Sequence, residues 1–165
     1  MNCERRTPCL DTIQDVEAFI AEFEGRTLAK SRWTHQAHLV VGLWYLSRYS
    51  PDEATDIVRE RITSYNETVG TANTDTSGYH ETLTRFFLRG IAAHIAAHLN
   101  LPLPESLAAL LASPLGDKNW PLRYYSRERL FSAPARHQWL EPNLCETGDD
   151  GEIAWSTGAS SILPA

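Results

Sequence analysis

The sequence has only three cysteines, Cys3, Cys9 and Cys145, and they lie near the two ends. An odd, widely spaced set of this kind excludes a disulfide scaffold as the basis of the fold. Clustered Lys and Arg are missing too: 15 basic residues face 21 acidic ones, for a formal net charge of -6. Neutralising phosphates or coating anionic lipid requires the opposite balance, so neither nucleic acid nor a membrane surface is an expected partner. No run approaches the roughly 20 apolar residues of a membrane span. The opening MNCERRTPCL lacks the apolar core of a secretory signal, so a cytoplasmic location is expected. P-loop, GxGxxG, GxSxG and CxxC patterns are absent, and with them support for nucleotide binding or a Ser or Cys triad. The acidic group Asp149, Asp150 and Glu152 lacks the alternation of a calcium loop.

What is present is helical periodicity over one domain's length, 165 residues. Residues 1 to 10 read as a loose arm. From Asp11, a candidate cap, Val16, Phe19, Ile20 and Phe23 recur at helical spacing until Gly25, giving a helix over about residues 12 to 24. The segment from His35 to Tyr49 is apolar on nearly every face, which predicts a central helix. Pro51, Asp52 and Glu53 open a third helix that closes at Gly70. TANTDTSG, residues 71 to 78, is a loop whose Ser77 is placed to cap a fourth helix over about 79 to 99, with Leu83, Phe87, Ile91 and Ile95 as its stripe. A shorter helix over 105 to 112 and a turn or two over 127 to 131 follow. The last 25 residues read as an irregular tail, with a small hairpin placed near Asp150 and Gly151. The expected architecture is all-α, an up-and-down bundle of four main helices with short C-terminal helices.

In such a bundle the starts of the second and fourth helices share one end with Glu24, at the end of the first. Rotation at about 100° per residue turns His35, His38 and His80 toward the core, with Glu81 at the edge of the apolar stripe. Residues at i and i+3 are neighbours on a helix, so His35 and His38 can serve one metal ion. His80, with Glu24 or Glu81, completes the expected ligand set, and first-turn positions favour the neutral imidazole that binds metal. Nitrogen and oxygen donors suit zinc or iron without choosing between them. The expected function is metal-assisted hydrolysis, elimination or hydration of a small organic substrate, with Glu81 and His80 as the catalytic pair. Iron-dependent oxidation is the nearest alternative, and a binding module whose histidines only cap and pack is the competing class. Tyr65, Tyr79, Asn73 and Asp75 fall at the same end and are candidate substrate contacts.

Other residues carry less. His94 and His98 lie on the order of 20 Å along the helix from His80 and read as packed or half-exposed. His137, Arg85 and Arg89 read as surface, whereas Arg61 falls in the stripe of the third helix and suggests a buried ion pair. The hydrophobic fraction of 42% with five tryptophans leaves room for a homo-oligomeric interface.

FEGRTLAKSRWTHQAHLVVGLWYL followed by YHETLTRFF resembles a group of small uncharacterised bacterial helical proteins that share F-E, H-x-x-H-L and Y-H-E-T motifs. The resemblance spans roughly residues 19 to 90 and implies a shared site at Glu24, His35, His38, His80 and Glu81. It implies no particular reaction.

Overall fold

Local capping chemistry sets most of the helix boundaries. In the computed structural model, which describes residues 9–144, helix α1 (Ile13–Glu24) begins with a capping box between Thr12 and Asp15. The cap is thus Thr12 and not Asp11: the Thr12 hydroxyl accepts the Asp15 N–H while the Asp15 carboxylate accepts the Thr12 N–H. Helix α2 (His35–Leu46) is capped by the Thr34 hydroxyl, and α3 (Pro51–Thr68) by a second capping box between Ser50 and Glu53. Pro51 bars Ser50 from helical geometry and frees it to cap, so α2 ends at Leu46, short of the expected Tyr49.

Helix α4 (Glu81–Ala97) is capped by His80, which corrects the expectation for Ser77. Gly78, at φ +77°, turns the chain after Ser77, so the backbone enters the helix two residues later than the composition suggests. Helix α5 (Leu103–Ala112) follows, then short α6 (Arg127–Leu130) and α7 (Ala133–His137), with 3-10 turns at Lys30–Arg32, Pro114–Gly116 and Trp120–Arg123. Among the described residues there is no strand, and the fold is a helical bundle. No described helix is long and apolar enough to cross a membrane. The expected hairpin and most of the expected tail lie outside the described residues.

Helix α2 is the centre, with Ala37, Leu39, Val40, Val41, Gly42, Leu43 and Tyr45 all buried. It packs most extensively on α4, then on α3. The closeness depends on Gly42: a Cβ there would stand 2.6 Å from Ile91 Cδ1 and 3.2 Å from Leu88 Cδ2. Helix α4 is used on two sides. Thr82, Phe86, Gly90 and His94 are buried, and the Thr82 hydroxyl donates to the Gln138 carbonyl and accepts from the Leu140 N–H, binding the C-terminal segment to α4. The stripe of Leu83, Phe87 and Ile91 instead forms the wall of a cavity between α2, α3 and α4.

Arg61 is exposed, contrary to expectation, and the ion-paired arginine of α3 is Arg59. The buried residues of α3 are Ala54, Val58, Ile62, Tyr65 and Asn66, an arc flanked about equally by positions 59 and 61 at about 100° per residue. Glu81 stands on the Arg59 side and decides between them.

Candidate functional site

The cavity has a volume of about 510 Å³, within the range of small-molecule sites. Its apolar wall comes from Trp33, Val58, Ile62, Val69, Leu83, Phe87, Leu88 and Ile91. Its polar groups are His35, His38, His80, Asn66, Thr71, Tyr79, Thr84, Lys30 and Lys118. The start of α2, the end of α3 and the start of α4 therefore bring all three histidines to one space.

Each histidine is oriented by a backbone carbonyl. His35 Nε2–H donates to the Leu115 carbonyl at 2.8 Å, and its ring lies 4.8 Å from that of Phe87. His38 Nδ1–H donates to the Thr34 carbonyl at 2.7 Å, and the Trp33 indole packs on the ring at 4.0 Å between centroids. His80 Nε2–H donates to the Leu130 carbonyl at 2.8 Å, and its Nδ1 accepts the Leu83 N–H at 3.2 Å. Both His80 nitrogens are thus engaged. His35 Nδ1 and His38 Nε2 make no hydrogen bond with the described residues, and each is the lone-pair nitrogen of a neutral ring. His35 also borders a shallower depression of about 310 Å³ beside Thr34, Gln36 and Lys118.

Burial is the main reason these rings stay neutral. It pushes His38 down to about 4, against the opposing hydrogen bond to Thr34 and with a small further push from His35. His35 and His80 are lowered by the same cause, with Lys118 adding to the first and Arg136 to the second. His38 is nonetheless an exposed residue that lines the cavity, so water there weakens the push on its ring.

These shifts fix a pH dependence. A folded-state pKa below the unfolded value of about 6.5 means that the unfolded chain takes up protons the folded chain refuses, so stability falls as pH drops from about 6.5 to 4. For His38 alone, discounted for water admitted to the cavity, the loss is expected to be about 1–2 kcal/mol. Urea midpoints at a series of pH values in this window check it, and His38→Phe is expected to flatten the slope; an equal slope in the variant would contradict it.

The carboxylates expected at the site are engaged elsewhere. Glu81, 6% exposed, accepts Arg59 Nε–H at 2.9 Å, Arg59 Nη2–H at 2.7 Å and the Tyr79 hydroxyl at 2.8 Å. Burial raises its pKa, but the hydrogen bonds from Arg59 and Tyr79 with the charges of Arg59 and Arg85 outweigh burial and hold it below the usual carboxylate value. Glu24 is exposed and accepts the Tyr45 hydroxyl at 2.6 Å. Neither carboxylate lines the cavity. Among the described residues no three His, Cys, Asp or Glu side chains come together as a metal-holding group.

Of the four expected substrate contacts, the cavity includes only Tyr79. Tyr65 is fully buried, its hydroxyl donating to the Leu28 carbonyl at 2.9 Å and its ring packed on Trp33 and Phe23. Asn73 ties down the loop beside the cavity, and Asp75 pairs with His137 at 2.7 Å on the surface. Thr84, Lys30 and Lys118 are lining residues the sequence does not single out. Asn66, which the sequence places with Tyr65 at the end of α3 nearest the histidines, is polar, lies one turn beyond Ile62 on the buried face and lines the cavity.

His94 is 1% exposed and donates to the Ser106 carbonyl, with the tilted His98 ring packed against it at 4.3 Å between centroids. Arg85 and Arg89 stand over the Trp139 ring, so the face read as solvated is partly covered by the C-terminal segment.

Compared with protein families, curated proteins and solved structures, the chain matches no family model, no curated protein and no solved structure.

Proposed function

We propose that this protein binds a small organic molecule in the cavity between α2, α3 and α4, and that His35 and His38 are the groups that meet its polar part. The observation that carries the reading is that two neutral imidazoles, each with a lone-pair nitrogen lacking a partner among the described residues, line a largely apolar space of about 510 Å³. At a pKa near 4, His38 is a weak proton acceptor at neutral pH but a sound hydrogen-bond acceptor. A ligand with an apolar body and an N–H or O–H donor satisfies both the walls and the rings.

The test uses N-phenyl-1-naphthylamine, an apolar dye with one N–H. Saturable binding with one site per chain is expected. Leu83→Trp, which fills the cavity, is expected to weaken it at least tenfold, and His38→Phe several-fold, with circular dichroism unchanged. No saturable binding, or binding indifferent to Leu83→Trp, would overturn the reading.

A second reading is metal-assisted hydrolysis, elimination or hydration of the bound molecule, with iron-dependent oxidation beside it. The observation that favours it is the i, i+3 placement of His35 Nδ1 and His38 Nε2, two neutral nitrogens suited to zinc or iron. Water or substrate would fill the remaining positions, since His80, Glu24 and Glu81 are otherwise engaged. About one equivalent of metal per untagged chain, lost in His35→Ala, His38→Ala, would support it; a chain that binds the dye but cannot be loaded with divalent metal would refute it.

A further inference from the structure

The charge around the cavity is opposite to that of the chain. The protein has a formal net charge of -6, yet the lining contains two lysines, Lys30 and Lys118, and no Asp or Glu. Both lysines are exposed while belonging to the wall, which places them where the cavity meets solvent. Neither ammonium group forms an ion pair or hydrogen bond with a described residue. The nearest acid in sequence, Asp117, turns its carboxylate to the Asn119 N–H at 2.9 Å.

We propose that the ligand is an amphipathic organic anion, its apolar body against Leu83, Phe87, Leu88 and Ile91 and its carboxylate or comparable anionic group at the mouth beside Lys30 and Lys118. The histidines cannot be the anion's partners: His35 Nδ1 and His38 Nε2 present lone pairs, and a carboxylate has no proton to give them. The mouth offers ammonium groups partly hydrated and still open to pairing, in a protein whose overall field disfavours anions. This inference rests on the cavity being a ligand site, as proposed above, and adds the sign and position of the ligand's charge.

Decanoate and decanol differ at the head group and share the tail, so calorimetric titration of both, with N-phenyl-1-naphthylamine as the uncharged control, reads that difference. Decanoate is expected to bind on the order of tenfold tighter than decanol at low salt, with the preference shrinking as salt rises. The double variant Lys30→Met, Lys118→Met, confirmed as folded by circular dichroism, is expected to abolish the preference by weakening decanoate binding. If decanol binds as tightly as decanoate, if the preference survives the double variant, or if the dye binds and neither amphiphile does, the anion assignment is overturned and the cavity reading stands. If neither the dye nor either amphiphile binds, both fall.

Discussion

Replacing Arg59 with alanine is expected to destabilise the protein by about 3 kcal/mol, the lower end of the cost of breaking a buried ion pair. The guanidinium grips Glu81 with two nitrogens, at 2.9 and 2.7 Å, while its third reaches Asp56 at 2.6 Å. The Arg59 side chain is 40% exposed and the Glu81 side chain 8%, so the two halves are not equivalent. Arg59 without Glu81 keeps Asp56 and water. Glu81 without Arg59 keeps the Tyr79 hydroxyl and a distant Arg85 at 4.0 Å.

Arg59→Ala is therefore expected to cost more than Glu81→Gln. Its deficit also depends on pH, because in the variant burial acts on Glu81 with little opposing it and raises its pKa. Below that raised pKa the carboxyl protonates and the unpaired charge disappears, so the gap between wild type and variant narrows as pH falls toward 4. In the wild type the sign is reversed: a depressed Glu81 pKa stabilises the fold above about 4.5, and that contribution fades only as pH falls through the folded value. Urea denaturation of both proteins at neutral and acid pH separates the two slopes. The double variant Arg59→Met, Glu81→Leu is expected to recover most of the loss and still bind dye. Loss of dye binding in a stable double variant would return Glu81 to the site.

Glu81 also shows where the sequence could be read and where it could not. The helices were legible because their signals are local: Pro51 at a first turn, Gly25 and Gly70 at helix ends, and apolar residues at helical spacing, although the capping boxes at Thr12 and Ser50 went unread. The histidines shared that advantage, all three standing at a cap or in a first turn. Glu81 did not, because a fixed rotation per residue holds only where residue 80 is itself helical. His80 is a cap at φ −141°, ψ 104°, and an extended residue cannot carry a helical phase into the next. The turn before it put His80 on the cavity and Glu81 toward Arg59. The carbonyls that orient His35 and His80 belong to Leu115 and Leu130, distant in the chain. No local pattern announces such pairings. Helix α7 does have a local signal, Ser132 as cap with Pro134 in the first turn, and its Arg136 donates to the Gly78 and Tyr79 carbonyls.

Asn73→Ala is expected to cost about 2–3 kcal/mol and to weaken ligand binding without touching the ligand. Its Oδ1 accepts from Asn66 Nδ2 at 3.0 Å and from the Tyr79 N–H at 2.9 Å, and its Nδ2 donates to the Thr63 carbonyl at 3.2 Å. One side chain thus fastens the loop after α3 to the entry of α4. Alanine leaves Asn66, 5% exposed, with a buried amide donor unpaired beside the cavity. Gly78 belongs to the same lock: at φ +77° a Cβ there would lie 2.5 Å from Asn73 Oδ1 and 2.6 Å from the Ala72 carbonyl. Gly78→Ala must therefore both strain the backbone and expel the Asn73 oxygen, and a loss of similar size is expected. Asn73→Asp keeps the two acceptor bonds but turns a carboxylate oxygen toward the Thr63 carbonyl in place of the donor, a repulsion that water at this half-buried position partly offsets, so it is expected to lose less than alanine. Asp75→Ala, two residues away, removes only an exposed pair with His137 and is expected to cost less than about 1 kcal/mol. Urea midpoints ranked Asn73→Ala, Asn73→Asp, Asp75→Ala from least to most stable, with dye affinity in the same order, would identify Asn73 as the residue that positions the loop. Full stability in Asn73→Ala with affinity alone reduced would make it a direct ligand contact instead.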